Sequence, residues 1–411
     1  MKNDNAHGAA ETARRTVRES YGRLISVLAS GTGNIPAAED ALSDALERAL
    51  RVWPETGVPG NPAGWLLTVA RNRLRDGFRS AAVRTSVPLE EMELATHPAV
   101  APEPDSEEIP DRRLELLFAC AHPAIDRAVR APLMLQVVLG IDAADIARAF
   151  AVPTPTLAQR LVRAKRKIKD ARIPLVLPGR GDMPDRLDAV LEAVYASYAI
   201  DWQFVSGETL AISLSGEALH LAVLIATLLP DEPEALGLAA VLCFSLSRLD
   251  ARVVNDVFVP LDEQDTRTWD ADLIRRGEEY IHRAAAFRRI GRFQLEAAIE
   301  SAHCDRARTG RVDSAALATL LTALVEVAPT IGSRVALAAV VADKEGPAKA
   351  LVRLDGIQGA DRFQPAWALR AQLLERLERA TDARAAYDKA ISLTTEASLR
   401  AYLRQRARAL G

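Results

Sequence analysis

Between Arg160 and Arg172 the chain packs seven Lys/Arg (Arg160, Arg163, Lys165, Arg166, Lys167, Lys169, Arg172) against one acid, Asp170. Cations at this density repel one another unless an anionic partner neutralises them, and duplex phosphate is the commonest partner. Charge alone favours a solvated helix at a domain edge. The residues before it decide for nucleic acid. Ala143 to Phe150 sets Ile146, Ala149 and Phe150 at helical spacing and breaks at Pro153. Thr154 suits an N-cap, and Pro155 the first helical position, where a missing N–H costs nothing. Beyond it Leu157, Leu161, Ala164 and Ile168 share one face and Thr156, Arg160, Arg163 and Lys167 the other, with Gln159 beside them. Two helices joined by a short turn, the second basic on its outer face, form a helix-turn-helix. Arg160 and Arg163 are then placed for the duplex, and Thr156 and Gln159 for base edges.

A second basic constellation lies upstream. The loop PETGVPGNPAG leads into WLLTVARNRLRDGFRS, with Asn61 as N-cap and Pro62 first in the helix. Leu66, Val69, Ala70 and Leu74 are expected inside, and Arg71, Asn72, Arg75 and Arg79 outside. With Trp65 at the helix start, this combination of an aromatic ring and cations suits single-stranded DNA, although Trp65 reads equally as a core residue. A third stripe is acidic. In IPAAEDALSDALERALRVW the apolar Ala38, Leu42, Leu46, Ala49 and Leu50 are expected inside, leaving Asp40, Ser43, Asp44 and Glu47 on the outer face.

Metal and nucleophile chemistry find no support. Cys120 and His122 are two apart and His303 and Cys304 adjacent, so each pair diverges on a helix, and no further ligand is near. Cys120, Cys243 and Cys304 are too scattered for a disulfide framework. No cofactor is called for, and no catalytic constellation stands out.

The elements that hold these residues are helical throughout. Ala, Leu and Arg are abundant and β-branched runs short, so the fold class is all-α. The longest apolar run, Leu221 to Leu229, is too short to span a bilayer, and a cytoplasmic protein is expected. The net charge of −3 conceals a division. Residues 1–180 carry 25 Lys/Arg and 22 Asp/Glu, or +3, and the remainder 27 and 33, or −6. Four segments follow. Residues 11–80 form a first helical module. Residues 81–110 form an acidic linker with five prolines (Pro88, Pro98, Pro102, Pro104, Pro110); together with Asp111 it accounts for eight clustered acids, which keep it extended. Residues 111–172 carry the helix-turn-helix. Beyond a PLVLPGRGDMP hinge, residues 185–411 read as wholly helical, broken at Gly207, Pro230, Pro260, Gly291, Gly310, Pro329, Gly346 and Gly359. There Trp367, Ala371, Leu374, Ala383, Tyr387 and Ala390 fit positions of a tetratricopeptide repeat. Ala336, Ala339, Ala348 and Val352 repeat part of the pattern 35 residues earlier.

Two basic helical modules joined by an acidic linker resemble an extracytoplasmic-function sigma factor of RNA polymerase. The pieces that carry the likeness are AEDALSDALERA, NPAGWLLTVARNRLRDGFR and the end RLVRAKRKI. LFACAHPAI, DEPEALGL and LDEQDTRTWD further resemble the subgroup with a large tetratricopeptide-like C-terminal extension. The resemblance implies that residues 11–80 are sigma region two and 111–172 sigma region four. It implies that Asp40, Ser43, Asp44 and Glu47 dock on the coiled coil of the largest subunit of core RNA polymerase. Asn61, Trp65, Arg71, Asn72, Arg75 and Arg79 would capture the melted minus-ten strand, and Thr156, Gln159, Arg160, Arg163 and Lys167 the minus-35 duplex. The linker would run through the polymerase cleft. The partners expected are core polymerase, promoter DNA and, through the C-terminal domain, another protein or the sigma modules themselves; no membrane contact is expected. A conventional helix-turn-helix regulator with a tetratricopeptide-like domain is the rival reading, and it leaves the first basic module and the linker without a role.

Overall fold

The computed structural model describes residues 2–85, 111–150, 152–179, 181–202 and 214–410. It divides into two compact units, Met1–Ile200 and Asp201–Gly411. The fold is all-α, one short hairpin apart among the described residues.

In the first unit, α1 (Lys2–Ser30), α2 (Ile35–Thr56) and α3 (Pro62–Thr85) pack on one another. The first helix starts nearer the N-terminus than residue 11, because no breaker separates the polar start from Ala9 and Ala13, both buried. Asn34 caps α2, its side chain accepting from the Ala37 N–H at 3.2 Å. The inner stripe of α2 is Ile35, Ala38, Ala41, Leu42, Ala45, Ala49 and Trp53. Leu46 is only half-buried and Leu50 stands outside, 42 % exposed, which corrects its place in the expected core. On α3 the buried set is Leu66, Leu67 and Ala70, with Val69 and Leu74 half-buried. The last turn of α3 reaches Thr85, past the expected start of the linker at 81. The remaining linker, with its prolines and all its acids except Asp111, lies outside the described residues.

Four helices follow: α4 (Arg113–Cys120), α5 (Arg127–Val137), α6 (Ala143–Ala149) and α7 (Thr154–Asp170). Asp126 and Asp142 cap α5 and α6 through their carboxylates. The N-cap of α7 is Pro153, without a side-chain bond, and Thr154 is the first helical residue, one position later than its expected role. Leu157, Leu161, Ala164 and Ile168 are all buried. In α6 the inner residues are Ile146 and Ala147; Ala149 is exposed and Phe150 is 37 % exposed, so both leave the expected core. The PLVLPGRGDMP segment is anchored as well, with Leu175 and Met183 buried. The helix after it, α8 (Pro184–Trp202), belongs to the first unit as far as Ile200, Arg186 donating to the Phe118 carbonyl at 3.3 Å.

The second unit opens with α9 (Leu214–Leu228) and α10 (Pro233–Leu246), the latter buried at every residue except Glu234. Then comes the departure from a wholly helical pattern, where β1 (Val253–Val254) pairs with β2 (Val257–Phe258) in antiparallel register. Asn255 and Asp256 between them both have positive φ (51° and 61°), the requirement of a two-residue hairpin turn that Asn and Asp tolerate well. Next are α11 (Ala271–Ala285), α12 (Arg292–Cys304) and the single turn α13 (Arg306–Thr309). The last six are α14 (Ser314–Val327), α15 (Ile331–Glu345), α16 (Pro347–Asp355), α17 (Gln364–Arg376), α18 (Ala380–Ser392) and α19 (Ala397–Ala409). Their starts recur with a period of 33 residues, in the series Ser314, Pro347, Ala380 and in Ile331, Gln364, Ala397. Ala338, Val341, Ala350 and Leu354 accordingly sit 33 positions before Ala371, Leu374, Ala383 and Tyr387, and all eight are buried. The 35-residue register is therefore corrected, since it puts Val352 at a core position where it is 73 % exposed, and Ala348 is exposed too. Each helix pair buries its apolar face on the next, as stacked helical repeats do.

Candidate polymerase and promoter interface

The outer face of α2 carries Asp40, Ser43, Asp44 and Glu47, all exposed. Asp44 is held by Arg73 of α3, whose Nε donates to its carboxylate at 2.6 Å. Leu50 continues this stripe one turn beyond Glu47, at a spacing that sequence reasoning assigned to the core.

On α3 the Asn61 side chain is occupied as a cap, accepting from the Gly64 N–H at 2.8 Å. Trp65 is half-buried, its ring in edge contact with buried Trp53 at 5.4 Å between centroids, so packing against Trp53 fixes it. Asn72, Arg75 and Arg79 are exposed and Arg71 half-buried. Arg71 has its pKa lowered from the usual guanidinium value by burial first, then by the like charges of Arg75 and Arg112. Arg112 is the addition here. It lies at the entry to α4, donates to Ser30 Oγ at 3.3 Å, and its charge converges with Arg71 and Arg75 across a gap of residues that no sequence pattern spans. Clustered guanidiniums are an arrangement that can take a phosphate.

The α7 face presents Thr156, Gln159, Arg160, Arg163 and Lys167, all exposed. Among the described residues none of Arg160, Arg163 and Lys167 is ion-paired. Val162, 63 % exposed, flanks them and was not picked out from the sequence. Lys165 is not available in the same way, because its Nζ donates to both Glu39 carboxylate oxygens at 2.9 and 2.8 Å, with 11 % of its side chain exposed.

That ion pair fastens α7 to α2. Tyr21 of α1 also hydrogen-bonds to Glu39, and its phenol is raised above its ordinary value by burial, then by the neighbouring carboxylate. Two glycines permit the close approach. A Cβ on Gly22 would strike the Val138 carbonyl, and Gly140, at φ +67°, lies against the Tyr21 ring. Asp111, expected in the extended linker, instead holds buried Arg113 through both oxygens at 2.9 and 2.7 Å and approaches Arg23 at 3.9 Å. The two modules thus pack together within one unit.

Cys120 is buried and its thiol is pushed up to about 12 by that burial, which makes it unreactive. His122 accepts from the Ala124 N–H at 3.1 Å. Among the described residues no cluster of His, Cys, Asp and Glu could hold a metal ion, and no helix is long and apolar enough to cross a membrane.

In the second unit Ala371, Leu374, Ala383, Tyr387 and Ala390 are buried in one cluster, with Trp367 half-buried against it. Tyr387 donates to Glu375 at 2.9 Å and Trp367 to the Asp361 carbonyl at 2.9 Å.

This arrangement, an acidic helix face beside a basic helix within one three-helix module, is that of a sigma-70 region 2, and the sigma-70 region 2 family model matches residues 16–84. It supports a sigma factor, a non-enzymatic factor of transcription initiation that binds core RNA polymerase and promoter DNA. Residues 186–285 match DUF6596, a family of unknown function. Over 377 residues the chain is 35 % identical to the uncharacterized protein R00370 of Rhizobium meliloti (strain 1021), covering 90 % of this chain and 89 % of that one, and it belongs to one family with it. No solved structure matches the chain.

Proposed function

We propose that the chain is a sigma factor of the extracytoplasmic-function type, with residues 111–172 as its region four, and that its tetratricopeptide-like C-terminal unit regulates the sigma modules by direct contact. The observation that carries this reading is the outer face of α7. Thr156, Gln159, Arg160, Arg163 and Lys167 stand exposed on the second helix of a helix-turn-helix, their cations unpaired among the described residues, in the same unit as region 2. In this reading they take the minus-35 duplex, while Arg71, Asn72, Arg75 and Arg79 take the opened minus-ten strand with Asn61 and Trp65 shaping the loop. Asp40, Ser43, Asp44 and Glu47 dock on core polymerase in the cytoplasm. Transcription in vitro with purified core polymerase and a promoter library tests it. Promoter-specific transcripts that depend on the chain are expected, and their absence overturns the sigma reading. Regulation is tested by ending the chain after Ile200, where the first unit closes. Unchanged transcription from the shortened protein under all conditions overturns the regulatory role.

A further inference from the structure

The stretch Leu261–Asp270, LDEQDTRTWD, is given no role by the sigma reading, and its first residues Leu261, Asp262 and Glu263 line a groove in the second unit. Most of it is structural. Gln264 donates to the Val259 carbonyl at 3.1 Å, Asp265 binds Arg267, and Asp270 caps α11. The carbonyls of Asp262 and Gln264 are held by Arg306, whose guanidinium lies 5.2 Å from the Trp269 ring centre. Two side chains are left over. Asp262 and Glu263 stand exposed at the groove mouth, and among the described residues neither carboxylate is hydrogen-bonded or ion-paired.

The groove has a volume of about 700 Å³, within the range of ligand sites. Its floor comes from the alternate repeat helices α15, α17 and α19, with apolar surface from Val340, Leu369, Leu373 and Tyr402. Its other carboxylates are already paired. Arg376 binds Asp343 at 3.1 Å and Arg406 binds Glu375 at 2.8 Å, while Arg306 is held by backbone carbonyls and half-buried His303 has its pKa lowered by burial, so it is neutral at pH 7. Four carboxylates against three guanidiniums leave the groove one net negative charge, placed at its mouth.

We propose that this groove binds a protein segment presenting a lysine or arginine to Asp262 and Glu263 beside an apolar side chain on the Val340, Leu369 and Leu373 floor. The positive charge follows from the unanswered carboxylates, and the peptide character from a concave row of stacked helix pairs, a shape that fits an extended segment. The inference stands apart from the sigma reading, because it uses no residue of the first unit.

Random twelve-residue peptides displayed on phage, selected on the full chain, test it. Selected peptides should carry Lys or Arg next to Leu, Ile, Val or Phe. Their fluorescein-labelled synthetic copies should bind the D262K/E263K variant at least about tenfold more weakly, a loss of the size expected from reversing a complementary charge. That variant should keep the wild-type circular dichroism and melting temperature, since neither carboxylate holds the fold; if it melts early, D262N/E263Q takes its place. The proposal is overturned if no peptide exceeds the bare matrix or if the peptides bind variant and wild type equally. It is also overturned if spermine competes as well as the peptide, which marks a small-polyamine site.

Discussion

Two sets of arginines, one in each unit, do opposite work. In the second unit Arg248 reaches Glu300 and Cys304, Arg292 binds Glu296, Arg376 binds Asp343, and Arg406 binds both oxygens of Glu375. Buried Arg252 lies 3.8 Å from Glu396 and over the Phe258 ring. Arg292 bonds within its own helix, and the other guanidiniums tie one element to another. In the first unit Arg160, Arg163, Arg75 and Arg79 are exposed with no ion pair among the described residues, and Arg71 is crowded by like charge. A paired, buried cation belongs to folding, and an unpaired cation on a helix face awaits a ligand. The chain's formal charge conceals this division, because both kinds count equally.

The largest effect that tests the division is at Arg248, 6 % exposed. Arg248→Ala leaves half-buried Glu300 without its partner; burial raises the Glu300 carboxyl, and the Arg248 charge outweighs that rise and holds it below its ordinary value. The full chain should lose about 3–5 kcal/mol in the urea transition of its second unit, with promoter affinity of the folded protein unchanged. A loss under about 1 kcal/mol, the range of a surface pair, breaks the comparison.

Next come Arg160→Ala and Arg163→Ala. Each should leave the urea midpoint unchanged and weaken minus-35 duplex binding by about 1–3 kcal/mol if it reads a base edge. An equal loss on every sequence assigns that arginine to phosphate. Measured stability losses above about 0.5 kcal/mol would place them with the folding arginines.

What the sequence made legible follows the same line. The α7 stripe of Leu157, Leu161, Ala164 and Ile168 could be read because its burial is set by helical spacing alone. Leu50 and Phe150 were misplaced because an apolar residue at the margin of such a stripe is claimed by the core only if a neighbouring element covers it, and among the described residues none covers these two fully. The hairpin was hidden by its length, two residues per strand, although Asn255-Asp256 is a turn pair. Alanine recurs too often in the repeat unit to fix a register, so the period of 33 emerges only from the helix starts. Arg112 beside Arg71, and Lys165 on Glu39, join residues far apart in the chain, and no local pattern carries that information.

Arg71→Gln should have a smaller effect, and in a revealing direction. Removing one of three clustered guanidiniums relieves repulsion, so stability should hold or rise by a few tenths of a kcal/mol. Promoter opening should still suffer, with weaker permanganate reactivity of the bubble and a salt slope of DNA binding reduced by about one. Unchanged reactivity removes Arg71 from the minus-ten site.

The smallest effect on stability is expected at Asp44, which is ion-paired on the acidic face. Its partner Arg73 is 63 % exposed and Asp44 47 % exposed, so the pair is solvated on both sides. Such a pair contributes about 0–1 kcal/mol, and Asp44→Asn should shift the urea midpoint barely at all. Core polymerase binding should nevertheless fall if the acidic face is the docking surface, and D40K/D44K should lower it further. The pair also allows a sharper test. Exchanging the partners, as D44R/R73D, keeps an ion pair between α2 and α3 but moves the negative charge off the α2 face. Polymerase that needs the charge at position 44 should still be lost in a pull-down, whereas polymerase that needs only the α2–α3 tie should be recovered. Recovery would place Asp44 with the arginines of the second unit, as a residue of the fold, and leave Asp40, Ser43 and Glu47 to make the contact.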